Sequence, residues 1–263
     1  MPLLKDLEEF QNVSPALQWA IFIVACLVAI VAVIAIFISI WLSIKYFVFN
    51  RRKNSQGLSG KEAARTILDR NGLQHIKVST FGSLLFGNSY SHYFKKVRLR
   101  RLTAKKTSIT SLAMGVEKSA LALLDKEGDP DMKTRIRLTP FMYFGPFMFI
   151  PIIAIGVLID IALYHFTGAA TLVATFLGLG LYVISFILSI KTLKTEKKAQ
   201  ARACEIMRKE GMATKEEIKM MEELYKLYNI QYINDIILEF LQLILKVLQF
   251  VAKMQQSSAS NKD

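Results

Sequence analysis

The sequence predicts an α+β membrane protein with three to four transmembrane helices and a small cytoplasmic α+β domain. Three observations lead to this fold class. The hydrophobic content of 52% and the positive mean hydropathy exceed those of an ordinary soluble domain. The charged content of 21% is too high for a chain that lies wholly in lipid, and long runs without charge alternate with strongly basic segments. The chain is therefore divided between bilayer and water.

The formal net charge of +13 limits the choice of partners. In a membrane protein such an excess first indicates topology and attraction to anionic lipid headgroups. The interleaved aromatic and basic residues typical of RNA-binding proteins do not appear, so we expect no nucleic-acid partner. Cys26 lies in an apolar run and Cys204 in a charged segment, which predicts neither a disulfide nor a pair of metal ligands.

The first transmembrane helix is predicted at residues 16–49, after an N-terminal segment at residues 1–15. Apart from Lys45 this stretch carries no charged residue. A helix of about 24 residues measures roughly 36 Å, which is enough to cross a hydrocarbon core. Three basic residues follow directly, namely Arg51, Arg52 and Lys53. By the positive-inside rule they hold this end in the cytoplasm, which places the N-terminus outside.

Residues 50–138 are predicted to form the cytoplasmic domain. Between residues 51 and 137 the chain carries 19 Lys/Arg and only 7 Asp/Glu, a surplus that belongs on the cytoplasmic side of a membrane. Within the domain, Ser59 and Glu62 form a capping box that begins a helix. Gly72 supplies the left-handed residue that ends this helix.

A hairpin and an amphipathic helix are predicted next. Strand-like runs at residues 75–80 and 92–101 predict the β-hairpin. Residues 107–125 carry apolar side chains at helical spacing. They predict a helix whose N-terminal cap is one of two residues, Thr107 or Ser108. The only acid of this helix before its last residue is Glu117, so its apolar faces are available for packing.

Two further spans are predicted at residues 139–163 and 170–190. Asp160 is the only charged residue between positions 139 and 190, and an acid within a span is a functional candidate. The lack of positive charge in the intervening turn agrees with its being translocated.

Residues 191–230 are predicted to form cytoplasmic helices, one of which begins at a second capping box of Thr214 and Glu217. The following stretch, 231–254, is mostly apolar but has a narrow polar stripe. The stripe consists of Asp235, Glu239, Gln242, Lys246, Gln249 and Lys253, and Gln256 continues it. This helix is a fourth span, an amphipathic helix in the headgroup region or an oligomer seam. Residues 255–263 are predicted to be a disordered tail.

The segment GLSGKEAARTILDRNGLQHIKV, at residues 57–78, resembles the start of the soluble part of the bacterial membrane zinc metallopeptidases of the YugP type. That family carries S-G-x-E-x-A-R-x-I-L-D-x-N-G-L-x-x-V-x-V after a single N-terminal span. The similarity continues through Ser91-His92-Tyr93, where the family has D-H-Y-D-P, and through KKVRLRR, where it has K-V-V-R-L-S. It then reaches helix 107–125, the membrane hairpin and the segment 196–203, which matches E-F-x-A-S-R-R-A. The resemblance implies a zincin-like domain in a bacterial cytoplasmic membrane.

The chain departs from this family at the metal site. The family resembles other zinc peptidases in using H-E-x-x-H, in which two histidines bind Zn²⁺ and the glutamate acts as base. The resemblance aligns Val116 and Ala120 with the two histidines and Glu117 with the glutamate between them. It aligns Glu196 with a downstream acidic ligand. Valine and alanine have no lone pair for a metal. Ser91, where the family has aspartate, is a further loss.

A rearranged metal site would need one of three histidines, His75, His92 and His165. His165 is expected on the far side of the membrane, and His75 begins a strand far from helix 107–125. His92, together with Glu117 and Glu196, is therefore the weak candidate for a metal set. The other interpretation makes His92 a hairpin residue, Glu117 an exposed helix residue or a partner of a nearby lysine, and Glu196 part of a solvated turn.

These observations predict a pseudo-peptidase, which is a non-enzymatic binding or scaffold subunit without a cofactor. Two alternatives remain open: an active membrane metallopeptidase with an atypical zinc site, and a structural subunit of a larger membrane complex. The predicted partners are other membrane proteins or a second copy of the chain, and anionic lipid headgroups. The residues expected to contact a partner or lipid are Arg51, Arg52, Lys53, Asp235, Glu239, Lys246 and Lys253.

Overall fold

A computed structural model describes residues 13–163 and 168–260 of the chain. The chain forms two compact units. The first unit comprises residues 1–37, 143–186 and 233–263, and the second comprises residues 38–142 and 187–232. The cytoplasmic domain predicted at 50–138 lies within the second unit, which also includes residues 187–232.

The described chain is mostly helical and contains one small sheet. Its helices are α1 (Pro15–Arg51), α2 (Gly60–Arg70), α3 (Ser83–Phe86), α4 (Arg101–Lys105), α5 (Ile109–Lys126), α6 (Pro130–Leu163), α7 (Ala169–Lys209) and α8 (Lys215–Ser260). Its strands are β1 (Lys77–Ser79), β2 (Ser89–Ser91) and β3 (Lys96–Arg98).

Two of the described helices, α1 and α7, are long and apolar enough to cross a membrane. Only 6% and 22% of their most apolar windows are buried, as expected of helices that face lipid and not of core helices in a soluble protein. The span predicted at 139–163 lies within α6, whose described apolar part is Pro151–Leu163. The segment 231–254 continues α8, which does not meet the same criterion. The third and fourth spans therefore stay predictions.

Several predicted segments merge into longer helices. The span at 170–190 and the charged segment after it form the single helix α7, and Gly211, with φ +62°, follows its end. Thr214 and Glu217 form the expected capping box before α8, through backbone-to-side-chain bonds of 2.8 and 3.2 Å. Helix α8 continues to Ser260, well into the segment predicted to be a disordered tail.

The sheet differs from the predicted hairpin. Strand β1, in the run 75–80, pairs with β3, in the run 92–101, but the two strands are parallel. The antiparallel partner of β3 is β2, so the strand order is β1-β3-β2. The chain reverses in the intervening segment through α3, which is flanked by Gly82 and Gly87 with φ +78° and +61°. Positive φ angles favour glycine. The two glycines therefore allow a turn here that strand patterns alone do not reveal.

Helices α2 and α5 cross closely in the core of the second unit. The Ser59–Glu62 capping box that begins α2 is confirmed. A Cβ added to Gly115 of α5 would lie 2.3 Å from the backbone oxygen of Gly60, so only glycine fits at the crossing. Ser119 of α5 also donates to the carbonyl oxygen of Ala64, at 3.3 Å. This contact fixes which face of α5 turns toward α2 and which faces turn elsewhere.

In the first unit, α6 and α7 also cross at small residues. A Cβ added to Gly156 would lie 2.6 Å from that of Ala174. Asp160, which is 3% exposed, accepts hydrogen bonds from the backbone N–H groups of Ala170 and Thr171, at 3.0 and 2.7 Å. It thereby satisfies free donors at the N-terminus of α7. This contact gives Asp160, the acid of the predicted span, a structural role.

Candidate functional site

A cavity of about 440 Å³ lies in the second unit beside α5. Most of its lining side chains carry amide, hydroxyl or charged groups. The lining residues are Asn88, Arg100, Met114, Glu117, Lys118, Thr192, Leu193, Glu196, Gln200, Tyr228, Asn229 and Tyr232. The cavity therefore brings together residues from α5, α7, α8 and the region of the sheet.

Helix α5 is held in place by its own N-terminus and by α8. Ser108 is the N-cap, and its hydroxyl oxygen accepts from the backbone N–H of Ser111 at 3.1 Å. Of the two predicted caps the structure therefore selects Ser108. The hydroxyl of Tyr225, in α8, donates to the carbonyl oxygen of Ala113 at 2.7 Å. These bonds fix the rotation of α5, and hence the side chains that it directs at the cavity.

Glu117 and Lys118 face the cavity, whereas Val116 and Ala120 do not line it in the described structure. With about 100° per residue, the cavity-lining Met114, Glu117 and Lys118 fall within an arc of about 100° on α5. Val116 and Ala120 lie about 150° and 110° from the centre of that arc. Both are 0% exposed and belong to the hydrophobic core.

An ion-pair network runs through the cavity wall. The Nζ of Lys118 lies 3.1 Å from Oε2 of Glu117 and 3.1 Å from Oε2 of Glu196. The guanidinium of Arg135 contacts the other oxygen of Glu196 at 2.5 Å. Glu196 lies within α7, with its side chain 19% exposed, so it is not part of a solvated turn. Glu117 is 3% exposed and is likewise not on a solvated face.

Two amides extend this network. Gln200, one turn after Glu196, donates from Nε2 to Oε1 of Glu117 at 3.0 Å. Its own Oε1 accepts from Nδ2 of Asn229 at 2.7 Å. Each carboxylate of the wall therefore has at least two donors, as buried polar groups require.

The three charged side chains shift one another's protonation. Burial raises the pKa of Glu117, and Lys118 only partly offsets that effect. Burial acts on Glu196 in the same direction, but Lys118 and Arg135 outweigh it and lower the pKa of Glu196. Burial alone would lower the pKa of Lys118, yet the two carboxylates raise it. Lys118 is therefore held as an ammonium.

The residues of this wall do not fit a zinc ion. Zinc in a peptidase needs three protein ligands with open lone pairs and correct geometry. Here the carboxylates of Glu117 and Glu196 are already occupied by the Lys118 ammonium. In the described parts of the chain no group of three or more His, Cys, Asp or Glu residues could hold a metal.

His92 belongs to a separate polar cluster. Its Nδ1 lies 2.6 Å from Oδ2 of Asp125, and the hydroxyl of Tyr90 donates to the same oxygen at 2.6 Å. Asp125 lies eight residues after Glu117, about 12 Å along the axis of α5. The structure therefore does not bring His92 together with Glu117 and Glu196.

The other predicted histidine and serine positions also lie apart from the wall. Ser91 ends β2 next to His92. His75 directly precedes Ile76, and neither residue lines the cavity in the described structure. His165 lies outside the described residues.

The residues predicted to contact a partner or lipid lie elsewhere. At the end of α1, Arg51 stacks on Phe47, with Cζ 4.1 Å from the ring centroid. Arg52 contacts the sulfur of Met220, and Lys53 forms an isolated bridge with Ser108. On α8, in the first unit, three of the four residues predicted to contact a partner or lipid are exposed. These are Asp235, Lys246 and Lys253, and Glu239 is half-buried.

The sequence did not reveal five of the polar residues at this site, namely Asn88, Arg100, Arg135, Gln200 and Asn229. Their signal is long-range, since Gln200 bonds a residue 83 positions away. Lys118 was adjacent to the suspected motif, but its pairing with two carboxylates depends on the rotation of α5.

Comparison with known proteins gives one match. The model of the family described as "Putative neutral zinc metallopeptidase" matches residues 23–251, which is most of the chain. No curated protein and no solved structure matches it. The matched range includes α2, α5 and α7, and therefore the whole ion-pair network. This chain belongs to the neutral zinc metallopeptidase family.

Proposed function

We propose that this protein is an integral membrane pseudo-peptidase, which binds a segment of another membrane protein without cleaving it. The observation that supports this proposal most directly is the position of Lys118, whose Nζ lies 3.1 Å from a carboxylate oxygen of both Glu117 and Glu196. Together with the Arg135 guanidinium, this ammonium balances the charge of the two carboxylates, as a bound cation would. It offers no open coordination position, however, and cannot lower the pKa of a water molecule as zinc does.

The rotation of α5 supports a register for the lost motif one residue later than the sequence resemblance gave. In H-E-x-x-H the first, second and fifth residues all face the metal site. Glu117, Lys118 and Leu121 share one arc of α5, and the first two line the cavity. Glu117 then takes the place of the first histidine, and Leu121 that of the second histidine. Lys118 takes the place of the glutamate that acts as general base. On this proposal all three catalytic positions are changed.

The cavity suits an extended peptide segment. The Tyr228 hydroxyl and the side-chain carbonyl of Asn229, whose amide group donates to Gln200, can pair with the N–H and C=O groups of a backbone.

The metal-free character is tested by measuring zinc in protein purified at neutral pH. We expect far less than one zinc per chain and no peptidase activity on added zinc, because the carboxylates are held by Lys118. Stoichiometric zinc that is lost in a His92→Ala variant would overturn the proposal and favour the atypical metallopeptidase.

The register is tested with two sets of substitutions. Glu117→His, Lys118→Glu and Leu121→His together should create zinc binding with Glu196, because all three positions face one side of α5. The matched control, Val116→His with Ala120→His, should bind no zinc because these positions lie about 150° and 110° from the centre of the cavity-facing arc. The reverse result, with zinc in the control alone, would restore the earlier register.

Binding is tested by photo-cross-linking in the native membrane. A benzoylphenylalanine at Tyr228 keeps an aromatic side chain in the cavity, and we expect it to cross-link to a specific membrane protein. The control position is Tyr93, which is exposed and outside the cavity. Equal cross-linking from both positions would contradict a binding role of the cavity and favour a purely structural subunit.

A further inference from the structure

The outer face of the small sheet is a basic surface. Val97 of β3 is 0% exposed, so its neighbours Lys96 and Arg98 point to the opposite, outer side of the sheet. The parallel register pairs Lys96 with Lys77 and Arg98 with Ser79, and paired residues share a face. The antiparallel register adds Ser91 and Ser89 to the same face. This surface, which we name the outer sheet face, therefore holds three cations among small hydroxyl residues.

Exposed apolar side chains surround these cations. The Phe81 and Phe94 side chains are 81% and 71% exposed, and Leu84 is 94% exposed. Lys96 Nζ lies 5.6 Å from the centroid of the Phe81 ring, and Arg98 Cζ lies 5.3 Å from that of Phe94. Large apolar residues gathered at one exposed site indicate a contact surface rather than a solvated loop.

A cavity lies beside the outer sheet face. It measures about 810 Å³. Its lining includes the apolar residues Phe81 and Leu84, the basic residues Arg100 and Arg101, and the hydroxyl residues Ser79, Thr80 and Ser83. Guanidinium and hydroxyl groups bind phosphate oxygens, while phenylalanine and leucine contact hydrocarbon. This combination matches the two parts of a phospholipid.

The charge of this region has one sign. From residue 70 to residue 116 the chain carries nine Lys/Arg and no Asp/Glu. In the described chain, no ion pair engages Lys77, Lys96, Arg100 or Arg101. These four positive charges are therefore not cancelled by an acidic partner in the described chain, and they are complementary to an anionic bilayer.

We infer that the outer sheet face docks on the surface of an anionic phospholipid bilayer. Phe81, Leu84 and Phe94 enter the headgroup region, and Arg100 and Arg101 bind lipid phosphates. Aromatic side chains with adjacent cations are typical of the membrane interface. The inference rests on the membrane anchorage proposed above, and it adds a second, reversible contact to that anchorage.

The experiment uses the full chain in lipid nanodiscs. Cys26→Ala and Cys204→Ala remove the native thiols, and Leu84→Cys carries a bimane label. Lipids with a doxyl group near the headgroup quench a label that enters the interface. We expect strong quenching in discs containing phosphatidylserine, weak quenching in phosphatidylcholine alone, and loss of the difference at high salt.

Two controls make the result specific. Replacing Lys96, Arg98, Arg100 and Arg101 with glutamine should abolish the gain from phosphatidylserine. A matched variant with the same loss of charge, in exposed lysines of α7 and α8, should keep it; these are Lys209, Lys215, Lys219 and Lys226. A bimane attached through Lys61→Cys, at an exposed position of α2, should stay unquenched in both kinds of nanodisc.

Three results would overturn the inference. The first is equal quenching with and without anionic lipid, and the second is equal loss in the two glutamine variants. The third combines two observations: the label at position 84 is not quenched in nanodiscs, but the thiol of the unlabelled Leu84→Cys variant is protected from modification in native membranes. That combination would assign the face to a protein partner. Because nanodisc retention of the chain is scored separately, failure of the membrane anchorage is distinguishable from failure of the docking contact.

Discussion

Replacing Lys118 with methionine removes the ammonium but keeps an unbranched side chain of similar length. The Lys118 side chain is 12% exposed and lies 3.1 Å from two carboxylates. The change therefore leaves Glu117 and Glu196 without the charge between them. Removal of one member of a buried ion pair costs about 3–5 kcal/mol. Residual solvent access and the retained Arg135 contact reduce the expected loss of unfolding free energy to roughly 2–3 kcal/mol.

The loss is measured as a fall in Tm in detergent, followed by circular dichroism. For a chain of this size, roughly 2–3 kcal/mol corresponds to about 4–12 °C. Adding Glu117→Gln to Lys118→Met removes the stranded buried charge and should recover part of the loss. Arg208→Met is the control, because Arg208 and Glu222 form an exposed pair that contributes less than about 1 kcal/mol.

The pH dependence has a definite sign. Burial raises the pKa of Glu117 above its ordinary value of 4.5, so its negative charge reduces stability as pH rises above that value. Without Lys118 this cost grows, whereas protonation at low pH removes it. The Tm difference between the variant and the native chain should therefore shrink from about pH 8 to about pH 5. An equal difference at both pH values, or no fall in Tm at all, would refute the ion-pair account.

Three further predictions concern single residues. Gly115→Ala should cost about 2–3 kcal/mol by Tm, because the added Cβ would lie 2.3 Å from a backbone oxygen, while Gly180→Ala, with no atom within 4 Å of its Cβ, should be neutral or slightly stabilising. Tyr225→Phe should cost about 1 kcal/mol, because the buried bond from its hydroxyl to the Ala113 carbonyl is lost while that carbonyl keeps its helical partner; no change would mean that α8 is held otherwise. Burial raises the pKa of the Cys204 thiol to about 11, so its maleimide reaction should be slow near neutral pH and accelerate steeply under alkaline conditions, with Cys204→Ala as the blank.

Local signals in the sequence predicted much of the helical structure. Both capping boxes are confirmed, since each depends on residues three positions apart, as in Ser59 and Glu62. The prediction of the sheet topology was wrong because strand pairing does not depend on neighbouring residues alone. The run at 75–80 reads as a hairpin partner of the run at 92–101, but β2 occupies the antiparallel edge and leaves β1 the parallel one. Two left-handed glycines around α3 make this order possible.

The candidate site was predicted less completely than the fold. Helical spacing predicted helix 107–125, and the sequence resemblance pointed to Glu117 and Glu196, both of which line the cavity. The rotation of α5 does not follow from the resemblance, because a shift of one residue turns the pattern by about 100°. The close contact of Gly115 with Gly60 and the Ser119 bond to α2 set that rotation. Lys118 contacts a residue 78 positions away, a pairing that only the tertiary structure reveals.

A cation that is covalently part of the chain cannot be removed by chelators or depleted by starvation. The ammonium between Glu117 and Glu196 is present from the moment the chain folds, at every metal concentration. On the proposed function, the shape of the neighbouring cavity should therefore be independent of the supply of zinc in the cell. Metal-directed protease inhibitors such as hydroxamates, which act by ligating an active-site ion, should then have nothing to hold at this wall.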